Sequence, residues 1–301
     1  MARARIAVTG KHGQLVTSLI ERAREHEVKI IPVGRPELDL ADPGSAHSAL
    51  AAVAPDVIVN AAAYTAVDRA EQEPELALAV NGGGAGAVAA AAQRLAVPLV
   101  HISTDYVFDG LKDRSYREED EVAPLGAYGR SKRAGELAVM GNAQNFVILR
   151  TAWVYSPFGA NFLKTMLRLA KTRGEIAVVA DQRGNPTCAL DVADGVIGVV
   201  RNLLARPAEP RLRGVFHMTA AGETTWAGFA KAIFAASAAL GGPAAEVKEI
   251  STAEYPTPAR RPANSRLDCS KLLAIHGVAL PCWNASLAAC VARVLAETRS
   301  A

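Results

Sequence analysis

Residues 6–16 read Ile6-Ala-Val-Thr-Gly10-Lys-His-Gly13-Gln-Leu-Val16. A short β-branched run ends at one glycine, and a second glycine opens a stretch of helical composition. Glycines at such a strand–helix junction let the backbone turn tightly and approach a pyrophosphate, whose charge then lies at the helix N-terminus. The position of the usual third glycine holds Val16, so the helix must pack on the strand with a larger residue. The stretch predicts a dinucleotide-binding loop formed by Gly10, Lys11, His12, Gly13, Gln14 and Leu15.

Further short apolar runs alternate with helical stretches, at residues 28–33, 56–60, 98–103 and 146–150. They lack a polar alternation, as expected for parallel strands that helices cover on both faces. We therefore expect an α/β fold with a doubly wound parallel sheet in residues 1–155. Pro-rich connectors loosen the pattern later in the chain. We expect residues 156–301 to form mainly a smaller, interleaved substrate-binding lobe, with late sheet elements returning from residues 156–220.

Composition narrows the class of protein. Half of the 301 residues are apolar, and 33 basic against 30 acidic residues leave a net charge of +3. Because the charges are spread without runs, the sequence predicts no binding to nucleic acid or to a membrane surface. The apolar stretch after Arg5 ends at Gly10, which is too short for the apolar region of a signal peptide, and the four cysteines form no C-x-x-C pair. We expect a soluble, cytoplasmic protein with reduced thiols.

The ends of the second and third apolar runs bear on the choice of cofactor. Many NAD-binding proteins have a carboxylate after the second strand, and NADP-binding proteins have an arginine there. Arg35 at this position favours NADPH, whereas Asp39, followed by Leu40, leaves NADH open. The third run ends in small residues that permit close approach of a cofactor, which predicts contacts from Ala62, Ala63, Tyr64 and Thr65.

A catalytic pair is predicted by Tyr128-Gly-Arg-Ser-Lys132. Residues at i and i+4 share one face of a helix. A phenol titrates near ~10, and an adjacent ammonium stabilises the phenolate and lowers that pKa. We expect Tyr128 to act as an acid and Lys132 to support it and to hold the nicotinamide ribose. The hydroxyl of Thr104, at the end of the fourth run, can share the hydrogen bond to a substrate carbonyl oxygen.

Read together, these motifs resemble the extended short-chain dehydrogenase/reductase superfamily and, within it, the dTDP-4-dehydrorhamnose reductase family. The resemblance rests on Gly10-Lys-His-Gly-Gln-Leu15, Val59-Asn-Ala-Ala-Ala-Tyr-Thr-Ala-Val-Asp68, Ser103-Thr-Asp-Tyr-Val-Phe-Asp-Gly110 and Tyr128-Gly-Arg-Ser-Lys132. It continues through Arg150-Thr-Ala-Trp-Val-Tyr155, Asn161-Phe-Leu-Lys-Thr-Met-Leu167, Asp181-Gln-Arg-Gly-Asn-Pro-Thr187 and Arg261-Pro-Ala-Asn-Ser-Arg-Leu-Asp268, and so covers nearly the whole chain. It implies a Rossmann-like fold and NAD(P)H-dependent reduction of the C4 keto group of a dTDP-linked deoxysugar.

The resemblance also implies roles for individual residues. Thr104, Tyr128 and Lys132 would form the catalytic triad. Arg261 or Arg266 could hold a diphosphate through its planar guanidinium group, and Trp153 would offer an apolar face to a methyl-bearing sugar. The full set of expected substrate contacts is Thr104, Asp105, Tyr106, Val107, Phe108, Trp153, Asn161, Asn264 and Arg266.

Some members of this family bridge Mg²⁺ between carboxylates of two chains. The corresponding stretches here, Leu15-Val-Thr-Ser18 and Thr187-Cys-Ala-Leu190, contain no carboxylate. We therefore expect no metal site, and a monomer or a weak homodimer.

Two alternatives stay open. A sugar-nucleotide epimerase or dehydratase would share the fold, but similar dehydratases have Thr-Asp-Glu where this chain has Thr104-Asp105-Tyr106. A non-catalytic regulatory subunit of methionine adenosyltransferase would also share it, although such a role would not require Tyr128 and Lys132.

Overall fold

The computed structural model describes residues 3–299, in which strands and helices alternate. The strands are β1 (Arg5–Thr9), β2 (Lys29–Val33), β3 (Val57–Asn60), β4 (Leu99–Thr104), β5 (Phe146–Thr151), β6 (Val154–Tyr155), β7 (Glu175–Val179), β8 (Arg183–Gly184), β9 (Thr187–Cys188), β10 (Gly214–His217), β11 (Thr224–Thr225) and β12 (Glu246–Ile250). The α-helices are α1 (Gln14–Arg22), α2 (Ala46–Ala52), α3 (Val67–Ala70), α4 (Pro74–Leu78), α5 (Ala85–Arg94), α6 (Ala127–Asn142), α7 (Phe162–Leu169), α8 (Ala189–Ala205), α9 (Trp226–Ala238), α10 (Ser270–His276) and α11 (Trp283–Arg299).

The main sheet has six parallel strands in the order β2-β1-β3-β4-β5-β10. The chain runs outward from β1 to β2 and then crosses to β3 on the other side of β1. At such a reversal the loops after β1 and β3 run to opposite faces of the sheet and leave a crevice at the carboxyl ends of these strands. The predicted phosphate loop therefore follows the strand at which a ligand crevice forms.

Helices cover both faces of this sheet. One face packs against α1 and α8 through residues such as Leu19 and Val196, and the other packs against α2, α5 and α6 through Leu50, Val88 and Val139. These side chains are fully buried. The predicted doubly wound α/β architecture is confirmed.

The later part of the chain has a second apolar core, built around Tyr155, Leu163, Phe229, Ile233 and Leu287. Three two-stranded sheets surround it: β6 pairs with β9, β7 with β12 and β8 with β11. We call this region the C-terminal lobe. Two late elements leave it for the main sheet, because β10 pairs with β5 and α8 packs on the sheet face.

One continuous helical stretch, Pro74–Arg94, is long and apolar enough to cross a membrane by length and composition alone. Of an apolar 18-residue segment within it, 56% is buried inside the protein, and the core helices of soluble proteins satisfy the same criterion. Its α5 segment packs on the main sheet through Ala85, Val88 and Ala89. Its apolar character is therefore explained by this packing.

A buried ion pair fixes α6 to the sheet. Arg150 on β5 donates from Nε and Nη2 to the two carboxylate oxygens of Glu136 on α6, each at 2.8 Å. Ser103 on β4 donates to the same carboxylate at 2.7 Å. The partly exposed Arg133 donates from Nη1 to Glu136 Oε2 at 2.9 Å. Burial alone would raise the pKa of Glu136, but the hydrogen bonds and the charge of Arg150 outweigh burial and lower it.

The Glu136→Gln substitution should destabilise the fold, because it leaves the guanidinium of Arg150 buried without a counter-charge. We expect the free energy of unfolding, measured by urea titration, to fall by about 3–5 kcal/mol. Lys231→Ala is the matched control, since it breaks an ion pair with Glu249 in which both side chains are more than half exposed. That loss should stay below about 1 kcal/mol. Equal losses of unfolding free energy in the two variants would contradict the proposed contribution of the buried ion pair to stability.

Candidate active site

A cleft of about 690 Å³ opens at the carboxyl ends of the strands, where the sheet order reverses. It is lined from one side by the loop after β1 and the residues after β3, and from the other by the end of β4, the start of α6 and the C-terminal lobe. The cleft brings together fifteen of the residues predicted from the sequence: Gly10, His12, Gly13, Gln14, Leu15, Ala62, Ala63, Thr65, Thr104, Asp105, Tyr106, Tyr128, Lys132, Trp153 and Asn161.

The loop after β1 fits a dinucleotide phosphate. Gly10 has φ of 96°, in the left-handed region that favours glycine, and its amide donates to Val33 O at 2.7 Å. Helix α1 begins at Gln14 with no side-chain cap and no acidic residue in its first turn, so its first amide groups remain free for an anion. Val16 lies in the core, and the helix accommodates it without closing the cleft.

A polar network fixes the strand ends beneath this loop. Thr9 Oγ1 donates to Asn60 Oδ1 at 2.7 Å and accepts from the amides of Ala61 and Ala62 at 3.0 and 2.9 Å. Asn60 Nδ2 lies 3.0 Å from Nδ1 of the buried His101. Burial, with a smaller effect of Lys132, lowers the pKa of His101 well below its usual range, so the ring is neutral. The residues after β3 are thus fixed beside the cleft by uncharged groups.

Five of the predicted cofactor contacts lie outside the cleft lining: Lys11, Arg35, Asp39, Leu40 and Tyr64. Lys11 forms an ion pair with Glu37 at 2.6 Å. The side chain of Arg35 is 81% exposed, and its Nε lies 3.9 Å from Asp39 Oδ2. Leu40 is buried in the core against Gly84, so its side chain does not line the cleft, and its contact with the cofactor stays a prediction.

The fifth cofactor residue outside the lining, Tyr64, is bound to neighbouring protein groups. Its hydroxyl donates to Glu73 Oε2 at 2.7 Å. Asn81 accepts from Tyr64 N at 2.8 Å and donates to Tyr64 O at 3.0 Å and to Ser131 Oγ at 2.9 Å. Asn81 therefore joins the segment after β3 to the catalytic helix α6.

Tyr128 and Lys132 lie on one face of α6 and both line the cleft, as their spacing predicts. The Lys132 ammonium donates to Ile102 O on β4 at 2.7 Å. Burial lowers the pKa of Lys132 to about 8, an effect that the charge of Glu136 partly opposes. Lys132 therefore lies where α6 and β4 meet, and its charge is close to the cleft.

The expected lowering of the Tyr128 pKa is wrong. Burial raises the pKa of Tyr128 to about 12, the hydrogen bond with Thr104 opposes the rise, and the charge of Asp105 adds to it. The physical reason is that burial destabilises the phenolate, while the nearest ammonium is engaged by a backbone carbonyl. Tyr128 is accordingly protonated at neutral pH, which is the state required of a proton donor.

Asp105 lies beside this pair. Thr104 Oγ1 donates to Asp105 Oδ1 at 2.8 Å, and the side chain is 2% exposed. Burial raises the pKa of Asp105 to about 6, although hydrogen bonds from Ser265 and Thr104 counter the rise. A carboxyl group in this position can change its charge near neutral pH.

The structure corrects two predicted substrate contacts. Val107 and Phe108 are 0% and 1% exposed and belong to a small apolar core. The ring of Phe108 stacks on Tyr116 at 4.2 Å, and the Arg150 guanidinium lies 5.0 Å from its centroid. They support the segment after β4 from beneath and present no surface to a ligand.

The predicted residues near the end of the chain also lie outside the cleft lining. Asn264 donates to the carbonyls of Lys112 and Arg114, each at 2.8 Å, and accepts from Arg266 Nε at 2.8 Å. Arg266 pairs with Glu223 at 3.0 Å. Arg261 pairs with Asp68 at 2.8 Å. These groups bind other parts of the chain, and their contact with a diphosphate stays a prediction.

Comparison with known proteins agrees with this geometry. From residue 4 to residue 296 the sequence matches the family described as the RmlD substrate binding domain. The chain belongs to this family. The resemblance inferred from the motifs is thereby confirmed.

Individual relatives match along nearly the full chain. A dTDP-4-dehydrorhamnose reductase of Sinorhizobium fredii is 50% identical over 99% of this chain and 100% of its own length. One of Burkholderia thailandensis is 45% identical over 97% and 100%. The crystal structure of dTDP-4-dehydrorhamnose reductase from Bacillus anthracis in complex with NADP superposes with a TM-score of 0.88 at 36% identity, covering 98% of this chain and 99% of that one.

Several cleft residues of this RmlD family member were not found from the sequence. Thr151 ends β5 and pairs with Thr104 at the end of β4, so a rule based on strand ends would have identified it. Gly159, Ala160 and Trp226 come from the C-terminal lobe, where no local pattern indicates a ligand. Among residues 3–299, no group of three or more His, Cys, Asp or Glu side chains is arranged to hold a metal ion.

The raised pKa of Asp105 predicts a pH-dependent difference in stability between the protein and Asp105→Asn. Between pH ~4 and about 6 the unfolded chain has lost this proton while the folded protein keeps it, so the stability contributed by the neutral carboxyl is lost as pH rises. The difference in free energy of unfolding between Asp105→Asn and the parent protein should therefore shift in favour of Asp105→Asn by on the order of 1–3 kcal/mol from pH 4.5 to pH 7.5. Urea titrations at the two pH values measure this, and a difference that does not change with pH would refute the assignment.

Proposed function

We propose that the protein reduces the C4 keto group of dTDP-4-dehydro-L-rhamnose with NADPH and releases dTDP-L-rhamnose. The observation that carries the proposal is the convergence of Tyr128, Lys132 and Thr104 on one cleft that also contains the glycine loop after β1. Relatives that match the whole chain and are named dTDP-4-dehydrorhamnose reductase support this substrate. The protein is thus assigned to the NAD(P)H-dependent oxidoreductases.

The residues present fit NADPH. The free amides at the start of α1 would hold the pyrophosphate, and Ala62 and Ala63 leave room for the cofactor beside β3. The exposed guanidinium of Arg35 is free to turn toward a 2′-phosphate. When bound, the reduced nicotinamide supplies the hydride for the carbonyl carbon.

Tyr128 supplies the proton. As negative charge develops on the sugar oxygen, the phenol donates its proton, because a phenol with pKa of about 12 is still a far stronger acid than an alcohol. The Thr104 hydroxyl donates to Asp105 and lines the cleft with Tyr128, so it is positioned to contact the same oxygen. The Lys132 ammonium, close to the cleft, favours the phenolate that remains.

We assign cofactor binding to residues 1–155 and substrate binding mainly to the C-terminal lobe, in which Asn161 and Trp226 line the cleft. We also propose that the protein is a cytoplasmic monomer or weak homodimer that binds neither nucleic acid nor a membrane, and that it needs no Mg²⁺.

Incubation of the purified protein with dTDP-4-dehydro-L-rhamnose and each reduced cofactor tests the function. Loss of absorbance from reduced nicotinamide, with dTDP-L-rhamnose as the product, is the expected result. Turnover of a sugar nucleotide without net consumption of reduced cofactor would instead indicate an epimerase or dehydratase. A stable large partner together with no turnover would favour a regulatory subunit.

Replacing Tyr128 by Phe removes the proton donor and keeps the ring. We expect kcat to fall by roughly 10² to 10⁴ while the Kd for NADPH, measured by fluorescence titration, changes little. Tyr255→Phe is the control, because this tyrosine is 58% exposed and lies outside the cleft. Full activity in Tyr128→Phe would overturn the mechanism.

Replacing Arg35 by Ala tests the cofactor preference. Loss of a charge-assisted contact to the 2′-phosphate should lower kcat/KM for NADPH by about 10- to 100-fold and leave kcat/KM for NADH almost unchanged. Arg24→Ala, which removes an exposed arginine away from the cleft, is the control. Equal effects on the two cofactors would show that Arg35 does not contact the 2′-phosphate.

A further inference from the structure

Trp153, in the wall of the cleft, has an unusual backbone and an unusual ring contact. Its φ is 48°, in the left-handed region that bulky residues rarely adopt. Its indole stacks on that of Trp226 with 3.6 Å between ring centroids and 7° between planes. A strained residue that persists in a cleft is held by its surroundings, and Trp226 covers one face of the ring.

Gly184 covers the other face. A Cβ added to Gly184 would come closest to Cε2 of Trp153, with the bonded atoms Nε1 and Cζ2 following at 2.6 and 2.8 Å. An approach in the ring plane would bring the Cβ closer to these two atoms than to Cε2, so it lies over the face. No atom of Trp226 is among the three nearest, which places Gly184 opposite the stacked indole.

The two residues that enclose Trp153 are joined to each other. Gly184 ends β8, which pairs antiparallel with β11 so that Gly184 lies opposite Thr224 and Arg183 opposite Thr225. Trp226 follows Thr225 directly as the first residue of α9, and Thr225 caps that helix by accepting from Gly228 N at 3.0 Å. One strand pair and one helix cap therefore set the width of the slot that receives the indole.

We propose that Gly184 and Trp226 are positioning residues that hold the Trp153 indole edge-on, so that a bound sugar nucleotide contacts the edge of the ring. This replaces the expectation that Trp153 offers an apolar face, because both faces are covered. The edge carries the Nε1–H group, which donates no hydrogen bond within residues 3–299 and can donate to a sugar or phosphate oxygen. The identity of that ligand rests on the proposed function.

Circular dichroism tests the stack and the edge contact. Two indoles this close couple their far-ultraviolet transitions into a couplet, which Trp153→Phe and Trp226→Phe should each abolish. Trp283→Phe is the matched control, because it removes the third tryptophan of the chain, which lies outside the cleft, and should retain the couplet. The couplet should persist with saturating dTDP-L-rhamnose, after subtraction of the nucleotide spectrum. Its loss on binding would mean that the ligand reaches a ring face and would overturn the proposal.

Steady-state kinetics test the positioning role. Trp226→Leu should raise KM for the sugar nucleotide by about 3- to 10-fold, with KM for NADPH almost unchanged, and Trp226→Phe should recover part of the loss. Gly184→Ala should act in the same direction, because the added Cβ displaces the indole. A purely structural role would lower the amount of folded enzyme without this split between the two KM values, and unchanged KM values would overturn the proposal.

Turnover and circular dichroism together distinguish an error in the proposed function from an error in the placement of the indole. A protein that oxidises no NADPH with dTDP-4-dehydro-L-rhamnose and binds no dTDP-L-rhamnose would overturn both the function and the edge contact. The couplet of the ligand-free protein would still decide whether the indole is enclosed. Normal turnover combined with an absent couplet would overturn the enclosed indole alone.

Discussion

The contact between the Glu136 carboxylate and the Arg150 guanidinium decides where the catalytic helix lies. Glu136 is one turn beyond Lys132 on α6, Arg150 is on β5, and Ser103 of β4 donates to the same carboxylate. A charge buried this deeply requires its partner, so α6 cannot shift along the sheet without separating the pair. Thr104 follows Ser103 in sequence, and Ile102 O accepts from Lys132. One buried ion pair therefore fixes the helix that carries the proton donor and the strand that carries its neighbouring hydroxyl.

Burial moves the pKa values of Tyr128 and Lys132 in opposite directions. Removing water destabilises a phenolate and an ammonium alike, so the pKa of Tyr128 rises to about 12 and that of Lys132 falls to about 8. Both groups are protonated at neutral pH, but Lys132 is close to its titration range. The pair is thus prepared for proton donation before any ligand binds. The attraction between ammonium and phenolate gains importance only once Tyr128 has given up its proton.

The sequence predicted what short-range patterns determine. The glycine loop, the parallel strands and the spacing of Tyr128 and Lys132 depend on neighbours in the chain, and the fold class is confirmed. The predictions failed where the surroundings of a side chain come from segments that are distant in the sequence. Val107 and Phe108 follow Thr104 and Asp105 directly, yet they turn into a core completed by Tyr116 and Leu267. The rise in the Tyr128 pKa depends on burial by many segments, which no spacing reveals. Trp226 reaches the cleft only because α9 begins beside β8.

Reduction of a ketone requires the carbonyl to be held at a fixed position relative to the hydride donor and to the proton donor. The main sheet provides both, because the glycine loop follows β1 and α6 is fixed to β4 and β5. Residues outside the sheet must then position the sugar. Otherwise the same strands and loops would have to place the cofactor, the proton donor and the sugar together. The C-terminal lobe contributes Asn161 and Trp226 to the cleft; Trp226 packs against the lobe's own core, and Asn161 donates to Gln14 Oε1 of α1 at 3.0 Å. Trp226 packs on a core separate from those of the main sheet, so under the proposed function this part of the lobe can change without displacing the proton donor on α6.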